Sequence, residues 1–187
     1  MLVINELFDG WHKAKNGNVN DYAKWFNQQI GAENQIVDGK ANMTWAEFDL
    51  KSTIDQGKND PSIIMWSLGK EISEGASEGG YYDISKNLIK WAREVDTSKP
   101  LTIGSNRVKG VIGQSNNEHI KIANDLTAVG GMSGTNYSGG NNYDALHQAY
   151  PDWFLYGSET ASATKSLLIT SYQASLAKAP QFTFDLS

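Results

Sequence analysis

Short apolar runs, each passing at once into polar residues, recur along this chain with helix-like segments between them. They occupy residues 1–4, 63–66, 101–103, 126–129 and 153–156. Runs that lack apolar–polar alternation suit strands covered on both faces, as in a parallel sheet. Between them, residues 44–58 place Trp45, Phe48 and Ile54 on one helical face, with Thr44 as N-cap and Glu47 three residues later. Residues 85–95 space Leu88, Ile89, Trp91, Ala92 and Val95 in the same way, and residues 142–150 do so with Tyr143, Leu146 and Ala149 before Pro151 stops the helix. Strand and helix in alternation predict an α/β fold, a parallel sheet with right-handed crossover helices. No segment repeats, and the loop at residues 75–80 reads as flexible rather than as a boundary, so a single domain over 1–187 is expected.

Composition excludes several classes of function. The chain has 187 residues, 40% hydrophobic and 20% charged, enough apolar material for a core. Its net charge of −5 and the absence of any basic run argue against a nucleic-acid partner. Zero cysteines remove disulfides, thiolate nucleophiles and sulfur-bound zinc. No apolar stretch is long enough for a membrane span, and no basic region with a long apolar run opens the chain, so a cytoplasmic location is expected. His12, His119 and His147 show no ligand spacing and read as surface residues, so neither metal nor cofactor is expected. The six Trp and eight Tyr could fill a core or stack against sugar rings.

Polar residues gather where the strands end: Glu6, Glu71, Asn106, Asn136, Tyr137 and Glu159. In parallel α/β folds ligands bind at that face. A carboxylate directly after apolar strand residues is costly to place unless it is paired or used. Two such groups, Glu71 and Glu159, suit hydrolysis of a glycosidic bond, one donating a proton and the other attacking or activating water. A carboxylate metal site is the rival and would want more Asp and His; simple pairing with Lys or Arg is the bland alternative.

Four segments carry a family resemblance. Asn59-Asp-Pro-Ser-Ile-Ile-Met-Trp-Ser-Leu-Gly-Lys-Glu71 resembles the acid/base signature of glycoside hydrolase family 2, the β-galactosidase family. Met1-Leu-Val-Ile-Asn-Glu-Leu-Phe-Asp-Gly-Trp11 is similar to the strand before it, and Thr135-Asn-Tyr137 with Asn142-Tyr-Asp144 to the strand whose Tyr holds the nucleophile. Asp152-Trp-Phe-Leu-Tyr-Gly-Ser-Glu-Thr-Ala-Ser162 resembles the nucleophile strand of the galactosidase branch. The resemblance implies part of a (β/α)8 TIM barrel and a retaining mechanism on a small-molecule β-galactoside, with Glu71 as acid/base, Glu159 as nucleophile and Tyr137 donating to Glu159. Glu6, Lys70, Asn136 and Tyr137 would line the sugar, Trp11 would stack on it, and Trp66 and Trp153 would belong to the core.

Three departures accompany the resemblance. Lys70 stands where the family has an Asn that meets the sugar's 2-hydroxyl, which favours an inactive relative binding sugar weakly or not at all as the alternative. A full barrel takes about 250 residues, so the chain reads as truncated at both ends. Residues 167–187 diverge from the family and form a separate tail. Open sheet edges would then favour homo-oligomers.

Overall fold

Parallel strands cannot be joined by a tight turn, and each crossover here holds a helix that covers the sheet. The computed structural model describes residues 1–31, 42–76 and 80–160. Among the described residues the five strands are β1 (Val3–Glu6), β2 (Ile63–Lys70), β3 (Leu101–Ser105), β4 (Met132–Asn136) and β5 (Leu155–Glu159). They pair in chain order, all parallel, and the sheet curls into a half-barrel, part of a TIM barrel. The helices are α1 (Ala23–Phe26), α2 (Trp45–Gly57), α3 (Tyr81–Val95), α4 (Glu118–Ala128) and α5 (Gly140–Ala149). None of the helices among the described residues is long and apolar enough to cross a membrane.

The convex face is apolar. Trp66 and Leu68 of β2 and Leu101 and Ile103 of β3 join Leu50 and Ile54 of α2 and Leu88 and Ala92 of α3 in one buried cluster. The Trp66 ring fits against α2 so closely that a Cβ at Gly57 would lie 2.8 Å from it. Its Nε1–H donates to Asp96 at 2.8 Å. Burial alone would raise the Asp96 carboxyl, but donors from Ser98 and Trp66 hold it at about 2. The unfolded value is about 3.9, so this stabilisation is complete above about pH 4 and fades as pH falls toward the folded value. Trp66→Phe should destabilise the fold by about 1–3 kcal/mol at neutral pH. The deficit should shrink in acid, as urea unfolding at several pH values would read.

The helix over residues 44–58 forms as expected, with Thr44 Oγ1 accepting from Glu47 N at 3.2 Å. The fourth apolar run is different. Residues 126–128 close α4 instead of forming a strand, and β4 begins at Met132. Ile120, Ala123 and Leu126 recur every third residue and are all buried, so the helical period outweighs the local run. Asn117 caps the helix by accepting from His119 N, and Gly130, at φ 71°, ends it. Helix α3 starts at Tyr81, earlier than the spacing suggested, and β5 starts at Leu155, after Trp153. Trp66 and Trp153 are buried, as expected. His119 is buried rather than on the surface, held between Ser105 Oγ at 3.2 Å and the Gly75 carbonyl at 3.1 Å. The tail at 167–187 and part of the loop at 75–80 lie outside the described residues.

Candidate active site

The concave face is built from small and polar residues, and that is what leaves room for a site. A Cβ placed on Gly104 of β3 would point at Asn136 Oδ1 (3.3 Å), Ser158 Oγ (3.4 Å) and Lys70 Cγ (3.7 Å), so these side chains share one face. Two register slips aim the charged residues onto it. Between Ser67↔Thr102 and Lys70↔Gly104, β2 advances three residues while β3 advances two. Between Thr135↔Gly157 and Asn136↔Glu159, β5 advances two residues while β4 advances one. An extra residue of this kind re-aims the side chains beyond it, as β-bulges near active sites do.

Glu71 follows β2 directly, its N–H donating to the Gly104 carbonyl at 2.8 Å. Tyr137 follows β4, its N–H donating to the Glu159 carbonyl at 2.7 Å. Both adopt left-handed backbone, φ 48° and φ 51°, which disfavours side-chain-bearing residues by about 1–2 kcal/mol each. Strain of this kind persists where the surroundings impose it, and it concentrates at functional sites.

The two carboxylates have different company. Lys70 Nζ lies 2.7 Å from Glu159 Oε1, and the Tyr137 hydroxyl donates to the same carboxylate. Together they hold Glu159 below the ordinary carboxylate range, the Lys70 hydrogen bond first. The partners move the other way: Glu159 raises Lys70 and raises the Tyr137 phenol. Glu71 instead accepts from Asn136 Nδ2 at 3.0 Å. Tyr137→Phe removes one donor to Glu159, so the carboxyl should titrate at higher pH while Lys70 keeps it below the ordinary value. Carboxyl carbon NMR across an acid titration would show the move, and an unchanged midpoint would remove Tyr137 from this role.

The remaining expected residues fall in unlike places. Glu6 ends β1 on the exposed rim, and loss of hydration raises its carboxyl against the pull of Lys70. Asn136 is fully buried with both amide atoms engaged, so it meets Glu71 rather than open solvent. Trp11 is the clear correction. It is fully buried, donates through Nε1 to the Leu68 carbonyl at 2.9 Å and lies over Tyr81. The segment after β1 tucks this ring under the sheet, so it presents no platform to a sugar. Three contributors were not singled out from sequence: Ser158, which donates to Asn136 Oδ1 at 2.5 Å, Lys15, which bridges Asp9 and the Lys70 carbonyl, and Lys109, which donates to the carbonyls of Asn136 and Tyr137. Alternation along β5 would have turned Ser158 away from Glu159, and only the register slip brings both to the rim. Among the described residues no group of three His, Asp or Glu stands ready to hold a metal ion.

The family model for glycosyl hydrolases family 2, TIM barrel domain, matches residues 12–175. This chain belongs to glycosyl hydrolase family 2. Its fold is similar to a solved family 2 member from Bacteroides cellulosilyticus, with a TM-score of 0.65 at 27% identity over 95% of this chain and 18% of that one. A Formosa agariphila protein provisionally named as a beta-glucuronidase is 29% identical over 68% of this chain and 10% of its own length. Beta-galactosidase BoGH2A of Bacteroides ovatus is 26% identical over 56% of this chain and 14% of its own length. The family 2 chain described here therefore spans between a tenth and a fifth of the length of these relatives.

Proposed function

We propose that this rim is the catalytic centre of a retaining β-glycosidase acting on terminal β-D-galactosides. The observation that carries the reading is the unequal treatment of two carboxylates on one strand-end face. Glu159 is kept ionised by an ammonium and a phenol, as a nucleophile needs, and Glu71 meets an amide donor instead. In the first step a Glu159 oxygen bonds to the anomeric carbon while the bond from that carbon to the leaving oxygen breaks, and Glu71 gives that oxygen its proton. In the second, Glu71 takes a proton from water, the water oxygen bonds to the anomeric carbon, and Glu159 departs as the carboxylate. Family membership and the named galactosidase relative support the substrate class.

The Lys70–Glu159 contact favours a second reading, a family member whose nucleophile is capped and whose site binds sugar weakly or not at all. Hydrolysis of an aryl β-galactoside and an aryl β-glucuronide by the full chain, beside Lys70→Asn, separates the readings. The glycosidase reading expects galactoside turnover in the parent and about a tenfold gain in kcat/KM once the cap is gone, roughly 1.4 kcal/mol of barrier. Background rate in the parent with turnover only in Lys70→Asn would establish the capped reading, background rates in both proteins would remove the glycosidase reading altogether, and turnover of the glucuronide alone would correct the substrate.

A further inference from the structure

Lys109 directs its charge at backbone rather than at a carboxylate. Its Nζ donates to the Asn136 carbonyl at 3.1 Å and to the Tyr137 carbonyl at 2.6 Å. Among the described residues it forms no ion pair. Along a strand successive carbonyls point to opposite sides, so one ammonium cannot meet two neighbours in a row. The left-handed turn at Tyr137, φ 51°, breaks that alternation, and both carbonyls reach the same Nζ.

The two residues depend on this contact unequally. Asn136 is fully buried within β4 and held by its pairing with β5. Tyr137 lies past the last strand residue, with an exposed side chain and an N–H that donates to the Glu159 carbonyl. Among the described residues Lys109 is the donor to its carbonyl. The Tyr137 hydroxyl donates to the Glu159 carboxylate. Rotation about φ swings the Cα–Cβ bond, so a turn that relaxed toward extended backbone would carry the hydroxyl off the carboxylate.

The lysine itself stands on a fixed base. It lies in a short 3-10 turn, Val108–Gly110, that follows β3. Val108 is buried with Ile120, Ala123, Leu146 and Trp153, and the N–H groups of Arg107 and Val108 both donate to Ser105 Oγ at 3.2 Å. Charge-assisted bonds from an anchored turn can oppose the preference of tyrosine against left-handed backbone.

We propose that Lys109 is a positioning residue whose ammonium clamps the left-handed turn that aims the Tyr137 hydroxyl at Glu159. It differs in this from Lys70, which meets the carboxylate itself. The effect on turnover rests on the glycosidase reading, in which Glu159 is the nucleophile. The grip on the turn does not.

The test follows the Glu159 carboxyl carbon by NMR across an acid titration of the full chain, the signal assigned by its loss in Glu159→Gln. Lys70 and Lys15 are the cations that act directly on this carboxylate, and neither is altered. Lys109→Met should raise the midpoint by most of the shift that Tyr137→Phe produces. Lys109→Arg, which keeps a charged donor, should stay near the parent. In the Tyr137→Phe background Lys109→Met should add nothing, because the hydroxyl through which it acts is gone. In turnover, Lys109→Met should lower kcat by about tenfold with little change in KM, and Lys109→Arg should recover most of it. A parental midpoint in Lys109→Met would overturn the proposal, because the turn would then hold without its clamp. So would an unchanged midpoint in Tyr137→Phe, or a parental kcat in Lys109→Met of an active parent. A Lys109→Met shift of the same size with and without the Tyr137 hydroxyl would overturn it as well, since bare charge would then be the cause. If the parent turns over no glycoside, the glycosidase reading fails while the titration still decides the role of Lys109.

Discussion

Glu159→Gln is expected to lower aryl β-galactoside hydrolysis by roughly a thousandfold or more, because the amide cannot form the covalent glycosyl intermediate. The volume hardly changes, and Lys70 and Tyr137 keep a polar neighbour, so folding should survive and the loss should lie in kcat. Glu71→Gln should cost about a hundredfold to ten-thousandfold for a poor leaving group. With a dinitrophenyl leaving group, which departs without a proton, bond cleavage should be nearly normal in Glu71→Gln while Glu159→Gln stays inactive. Water attack would still lack its base, so the glycosyl-enzyme should accumulate in Glu71→Gln and give a burst of dinitrophenol. Equal losses with both leaving groups in Glu71→Gln would remove the acid role from that residue.

The second large effect concerns stability. Trp11→Ala should lower unfolding free energy by about 3–5 kcal/mol, against about 5–15 kcal/mol for a whole domain. The cavity left beside Tyr81 and the unpaired Leu68 carbonyl both contribute. Trp11→Phe, which fills most of the space but cannot donate, should lose about 1–3 kcal/mol. Urea unfolding of the three proteins measures this directly. A Trp11→Ala variant of parental stability whose only defect was a raised KM would restore the stacking role that burial argues against.

Much of the architecture was legible because it depends on local pattern. Thr44 and Glu47 mark a helix start wherever they occur, and the apolar residues of β2 and β3 announce a sheet covered by helices. Glu71 and Glu159 stood out because a carboxylate ending an apolar run is costly without a use. The failures share a different cause. Residues 126–128 look like a strand when read alone, and only the spacing back to Ile120 shows the helix. Trp11 in a loop looks available, and nothing local shows that the chain turns it inward onto Leu68. His119 was misplaced for the same reason, since its partners Gly75 and Ser105 are distant in sequence. The left-handed backbone at Glu71 and Tyr137 is likewise imposed by neighbouring strands rather than by residue type.

The slips in β2 and β5 bear on how this rim can be moved or rebuilt. An insertion or deletion in a loop usually changes length alone, but removing Ser158 from β5 would restore the even ladder, set Glu159 in the inward place that Ser158 now fills and take the hydroxyl away from Asn136. A regular half-barrel could not carry Ser158 and Glu159 in succession on its inner face, because strict alternation turns one of any two neighbours outward. The portable unit is each glutamate together with the extra residue that precedes it, and the glycines of β3 and β4 that make room across the sheet.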